Sequence, residues 1–476
     1  MPCLFGRWRL PCHGDHVGMH PIRVADAAAP ALVLISGGRA TPARAQAIDP
    51  SSTDPLLVSL PAAGHALFVG DAADRWAAAY RRLHPSARGS VVHVGSAEID
   101  TLRDAFDLIV LPDGLAALDD PAAALDALAR VAAPEATLAL EQTHHATLDM
   151  LQRWVEADLT DDDGALAAPR LALGSLASGY KALLDAGWMP TLVASRPALP
   201  VATGFETTAL AMAASLGIPP TTARRQWGGR SHVVHAQRGF DDAPAATGPS
   251  RFTVLVPTTR DRQLRANVEA SPGLREVDAR IVSVRRAATP AAAMAIAAPH
   301  VDVDWVLLTH QDVYFPRGFG HRLNALLAQI PAAERTRTLI GFAGVGVDRE
   351  RQAMVKAGFV IDRTSRADWG ANQQAVSIDE LAIVLARDSV HRIDPALGWH
   401  LWATDLCLTA ITQHGVFPRI VRLPLFHNST TDHTLPEAFH ASAATLAAKH
   451  PAWGPIHTLC GVIDDQFLAR RRSAAE

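Results

Sequence analysis

Cysteine is nearly absent: the 476 residues hold four, Cys3, Cys12, Cys407 and Cys460. Their spacings form no metal-ligand motif and no disulfide framework, which suits a reducing, cytoplasmic setting. No apolar run approaches the ~20 residues needed to cross a bilayer. No run of Lys or Arg occurs either, and the formal net charge is −4, so the electrostatic footprint of a nucleic-acid binder is missing. What remains is 49% hydrophobic and 19% charged residues, the balance of a soluble globular protein. At this length one core is too few, and two domains are expected. The opening stretch MPCLFGRWRLPCHGDHVG has no apolar core long enough for a secretory signal and no helix or strand period. Residues 1–30 are therefore expected to be disordered or to include a mis-assigned start, with Met19 as the alternative first residue.

From Ala63 onward, strand and helix signals alternate. HALFVG, GSVVHVG, FDLIVLPDG and ATLALEQ read as short buried strands. DRWAAAYRRLH and DPAAALDALARVAAP read as helices, the second with Asp120 as N-cap and Pro134 beyond its end. This alternation predicts βαβ units and a parallel sheet covered on both faces. AQRGFDDAPAATGPS, with Gly and Pro and no apolar period, reads as a linker, placed at 241–250.

A second α/β opening follows. RFTVLVPT is a strand, TRDRQLRANVEAS a helix, DARIVSV a strand, and TPAAAMAIAAPH a helix with Pro290 in its first turn. DWVLLT is a third strand and runs directly into His310-Gln311-Asp312. Sheets of this kind hold ligands outside the carboxyl ends of their strands, so residues 310–312 lie where a ligand is expected. The fold class is thus α/β, with two doubly wound domains at 31–240 and 251–476.

The first of these, over roughly residues 60–195, resembles class I methyltransferases in the order FDLIVLPDG, helix, ATLALEQ, and in LASGYKALLDAGW as a late helix. The resemblance implies a Rossmann-like fold. The family's cofactor turn is Gly-rich; here it reads VGDAAD, with Gly70 alone. The second strand, VVHVGS, offers no carboxylate before Glu98 for the ribose. Binding of S-adenosylmethionine (SAM) is therefore not expected, although the fold is.

The second, from Arg251 to about Asp464, resembles inverting family 2 glycosyltransferases of the A-type fold, in the branch where HQD replaces Asp-x-Asp. Four segments in family order carry this: TVLVPTTRDRQLRANVEASP, VLLTHQDVYFP, SIDELAIVLARDSVHRIDPALGWHLWATDLCLTAITQHG and LPLFHNS. An Asn carried by many relatives in the helix before the metal strand is missing from TPAAAMAIAAP.

The resemblance implies a nucleotide-sugar donor, UDP-, GDP- or dTDP-linked, and a divalent cation that offsets charge on the leaving diphosphate. Asp312 and His427 would hold Mn²⁺ or Mg²⁺, with the imidazole favouring Mn²⁺. Pro257, Thr258, Thr259, His310 and Gln311 would contact the nucleotide. Asp405, at the start of a helix ending at Gly415, would be the general base. Trp399, His400 and Trp402 would line the acceptor pocket, where indoles stack on sugar faces. Asp379 and Glu380 would either hold acceptor hydroxyls or cap the following element. The acceptor would be a saccharide, a lipid-linked glycan or a protein, in surface polysaccharide assembly, and the place cytoplasmic or peripheral at the inner membrane.

Each residue also has a plainer reading. Asp312 could end a strand before the Pro316 turn, Asp405 could be a first-turn acid, and His427 is one of 21 histidines. A bifunctional SAM-dependent methyltransferase/glycosyltransferase and a non-catalytic binding protein are the alternative functions.

Overall fold

A computed structural model describes residues 31–37, 54–70, 73–85, 90–94, 102–103, 105–144, 152, 175–215, 220–240, 248–363, 365–429 and 435–474. The expectations for residues 1–30, for Asp71 and Ala72 of the Gly70 turn, for Glu98, and for most of the 241–250 linker lie outside the described residues.

The N-terminal sheet has seven strands: β1 (Ala31–Gly37), β2 (His65–Val69), β3 (Ser90–Val94), β4 (Phe106–Leu111), β5 (Ala132–Thr143), β6 (Trp188–Pro197) and β7 (Gly229–Arg238). Their spatial order is β3-β1-β2-β4-β5-β7-β6. The first five are parallel, but β7 runs antiparallel to both β5 and β6. The expected all-parallel sheet is thus corrected at one edge. Helix Pro121–Val131 starts as read: the Asp120 carboxylate accepts from Ala123 N at 3.0 Å. That helix and Leu176–Asp185 cover one face, through Leu125, Leu128, Tyr180 and Leu183. Helices Pro55–Ser59 and Ala73–Leu83 cover the other, through Leu57, Trp76 and Tyr80.

The C-terminal part begins with β8 (Phe252–Thr258), β9 (Ile281–Arg285), β10 (Trp305–Thr309), β11 (Val313–Tyr314), β12 (Leu339–Gly341) and β13 (Ala343–Asp348). It continues with β14 (Ala353–Asp362), β15 (Arg366–Gly370), β16 (Ala375–Ile378), β17 (Ala382–Ala386), β18 (Arg419–Ile420) and β19 (Phe426–His427). One six-stranded sheet has the order β18-β12-β17-β10-β8-β9. In it β8, β9 and β10 are parallel and β17 is antiparallel to β10. A second sheet, β11-β19-β14-β13-β16 with β15 on β14, stands beside it. All five residues of β10 are buried, as an apolar strand flanked on both sides demands.

The two parts share apolar interior. Tyr314, Phe359, Ile361 and Phe426 pack into the same cluster as Tyr180, Leu184 and Trp188. Arg366 adds hydrogen bonds to Met189 O at 2.9 Å and Gln237 Oε1 at 2.7 Å. Among the described residues, no helix is long and apolar enough to cross a membrane.

Candidate metal centre and nucleotide cleft

The backbone delivers residues 310–312 by ending β10 against its neighbour. His310 N donates to Leu381 O at 3.0 Å, and Thr309 Oγ1 donates to the same carbonyl at 2.8 Å. Gln311 then turns to the adjacent strand end. Its side-chain oxygen accepts from Thr258 Oγ1 at 2.7 Å, Thr259 N at 3.0 Å and Arg260 N at 2.9 Å. Three donors on one amide oxygen tie the loop after β8 to the turn after β10. Gln311, expected on the nucleotide, has its acceptor engaged in this tie, so its visible work is to hold the loop.

Asp312 is followed by β11, which pairs antiparallel with β19 in the register Val313↔His427 and Tyr314↔Phe426. Asn428 N donates to Asp312 O at 2.8 Å and closes the pairing. This register brings His427 Nε2 to 3.6 Å from Asp312 Oδ1. The His310 ring stands 5.9 Å from the His427 ring, centroid to centroid. One ligand atom from each of His310, Asp312 and His427 lies within 4.8 Å of the others. His310, expected beside the nucleotide and off the metal, therefore joins the pair. Asp362 Oδ2 lies 3.9 Å from His427 Nδ1, on the other side of the ring from Asp312.

This donor set fits a divalent cation. Two imidazoles and one carboxylate leave open coordination positions and suit Mn²⁺ or Fe²⁺ better than Mg²⁺, which prefers oxygen throughout.

Beside the cluster lies a cleft of about 310 Å³, large enough for part of a small ligand. Pro257, Thr258 and Thr259 form one wall, and His310, Gln311 and Asp312 the floor. Glu380, Trp399 and Trp402 face them. Trp402 is 3% exposed and largely a core residue, whereas Trp399 is 40% exposed and free to meet a ligand. His400 packs near Phe439, ring centroids 5.9 Å apart, and is outside the cleft lining.

The two acidic neighbours separate. Asp379 Oδ1 accepts from Leu381 N at 3.0 Å, and its backbone N–H donates to Ala343 O, so it shapes the turn between β16 and β17. Glu380 enters the cleft. The backbone N–H groups of Ala403, Leu401 and Trp402, at the start of helix Trp402–His414, act on its carboxyl and favour the charged form. Glu380 Oε1 is buried without a hydrogen-bond partner. Burial, with the neighbouring Asp379 charge, pushes this carboxyl up to about 8, against the pull of those N–H donors.

Asp405 departs from the sequence expectation. It does sit in the first turn of its helix, but it is 1% exposed and does not line the cleft. His450 Nε2 meets its Oδ1 at 2.7 Å and Lys449 Nζ donates to its Oδ2 at 2.9 Å. With both oxygens engaged, Asp405 ties two helices together, and the carboxyls that line the cleft are Asp312 and Glu380. The spacing of an acid to a strand gave no sign of this, because the Glu380 environment is built by Leu401–Ala403, twenty residues on.

In the N-terminal sheet, Gly70 has φ +122, and a Cβ there would lie 2.5 Å from Asp113 Oδ2. The positive φ, rarely adopted by residues with a side chain, favours glycine at this turn.

No family model matches the chain, and no curated protein matches it. Solved methyltransferase structures do match, over about two fifths of it. One is a SAM-dependent methyltransferase, possible histamine N-methyltransferase, from Thermotoga maritima. It has 12% identity and a TM-score of 0.23, over 39% of this chain and 86% of that one. Another is magnesium protoporphyrin IX methyltransferase from Synechocystis, with 13% identity and a TM-score of 0.23, over 44% and 75%. The YcgJ protein from Bacillus subtilis has 12% identity and a TM-score of 0.25, over 44% and 93%. Likeness at these TM-scores carries no argument about what this chain does.

Proposed function

We propose that residues 251–476 form an A-type glycosyltransferase domain that moves a sugar from a nucleoside-diphosphate donor to a hydroxyl acceptor, with inversion and with a divalent cation. The observation that carries the reading is the convergence of His310, Asp312 and His427, the first two of which line a cleft placed at the strand ends. A cation held there supplies charge neutralisation to the two phosphates of the leaving group. Pro257, Thr258 and Thr259 form the wall for the nucleotide, and Trp399 offers an indole face to a sugar. Glu380, whose carboxyl lines the cleft, accepts the proton of the attacking hydroxyl. The acceptor oxygen bonds to the anomeric carbon as the bond from that carbon to the diphosphate oxygen breaks. The proton passes to Glu380 and the electron pair leaves with the nucleoside diphosphate. Asp379 stays in its turn and touches neither substrate. The acceptor is a glycan, lipid-linked or protein hydroxyl.

A second reading adds methyl transfer by residues 31–240. It is supported by the seven-stranded sheet with its antiparallel edge. The Asp113 carboxylate lodged against Gly70 weighs against it, and we place SAM outside the reaction.

Incubation with UDP-, GDP- and dTDP-linked sugars tests the reading. Release of nucleoside diphosphate from one of them, dependent on Mn²⁺ and abolished by chelation, is expected. Release that proceeds equally under chelation, or from none of the donors, would overturn it.

A further inference from the structure

The metal cluster stands on two strands of two residues each, β11 and β19. Pairs this short do not hold their own geometry in water. β19 is also paired to the ten-residue β14, but β11 is the edge of the sheet, so Asp312 needs a further support to stay in place against His427.

Alternation along a strand gives each one two faces. Val313 and His427 pair on one face, and Tyr314 and Phe426 on the other. The second face is buried in the N-terminal apolar cluster: Tyr314 is 4% and Phe426 0% exposed. The element it meets is helix Leu176–Asp185. Tyr180 packs on Phe426 with ring centroids 5.6 Å apart. Asp185 Oδ2 accepts from Tyr314 Oη at 2.6 Å, and Asp185 Oδ1 accepts from Arg317 N at 3.3 Å. Lys181 Nζ lies 4.8 Å from the centre of the Tyr314 ring.

We infer that helix Leu176–Asp185 is a buttress of the metal centre, with Tyr180 and Asp185 as positioning residues that set His427 and Asp312 through Phe426 and Tyr314. The inference rests on the metal reading. It gives the N-terminal sheet a task in the C-terminal reaction that needs no cofactor of its own. Both tethers lie within two residues of a ligand: Phe426 precedes His427, and Tyr314 is two beyond Asp312.

The test is Mn²⁺ binding to the full chain, followed by electron paramagnetic resonance of the free ion. The variants are Tyr314→Phe, Asp185→Ala and Tyr180→Leu, with thermal unfolding measured alongside. Trp76→Phe, in the core on the opposite face of the N-terminal sheet, is the control for general loosening. Loss of orienting partners outside a metal site commonly weakens metal binding by about ten- to a hundredfold, and the three buttress variants are expected to fall in that range. Trp76→Phe is expected to lower the melting temperature and leave Mn²⁺ affinity unchanged. Tyr314→Phe removes one oxygen only and keeps the ring, so it separates positioning from folding. Wild-type affinity in all three buttress variants, or equal weakening in Trp76→Phe, would overturn the inference. Failure of the wild-type chain to bind Mn²⁺ would overturn the metal reading and this inference with it.

Discussion

In the proposed transfer, the chemistry turns on Glu380. Its carboxyl reaches the cleft and its proton is held up to about 8 by burial. The stability consequence has a definite sign. The unfolded chain releases this proton near 4.5 and the folded chain near 8, so folding loses stability as pH rises across that window. Glu380→Gln carries no such loss. The variant is expected to gain on wild type in urea midpoint between about pH 5 and about pH 9, and a gap that stays constant would contradict the assignment. Activity should move the opposite way: the base is available only above its pKa, so turnover should climb through pH 8 in wild type and be lost in the variant. Asp312 and His427 were legible from their motifs. Glu380 was named only as one of an ambiguous pair. The burial that raises its pKa is set in part by the start of helix Trp402–His414, some twenty residues on.

At the scale of elements, Asp405 shows why a position in a helix does not settle a role. It belongs to helix Trp402–His414, yet its partners Lys449 and His450 end helix Glu437–Lys449 and follow it. Asp405→Ala should cost about 2 kcal/mol of unfolding free energy through the lost charged hydrogen bonds, while leaving Mn²⁺ affinity intact. A variant of wild-type stability that binds Mn²⁺ but has lost sugar transfer would restore Asp405 as the base. The strands β2, β4, β8 and β10 were legible because each is a short, mostly apolar run between turn residues. β6 was not, and Pro190 and Pro197 explain it: proline demotes a strand, and β6 is an edge strand, where proline is tolerated. β11 and β19 were invisible as strands, since two residues have no period. Their motif residues were read without the pairing that brings them together.

For the whole molecule, the sequence suggested two units in a row, with the second doing the chemistry and the first left over. The shared cluster of Tyr180, Tyr314, Phe359 and Phe426 joins them at the back of the metal centre. A pattern reading could not reach this contact, because it pairs residues more than a hundred positions apart. The account stands or falls on whether the cleft binds a nucleoside diphosphate through a cation at Asp312. Calorimetric titration of UDP and GDP into the full chain, with and without Mn²⁺ and beside Asp312→Ala, measures this directly. The account predicts that one nucleotide binds with Mn²⁺, not without it, and not to Asp312→Ala. Binding that ignores both the cation and the substitution, or no binding under any condition, would contradict it.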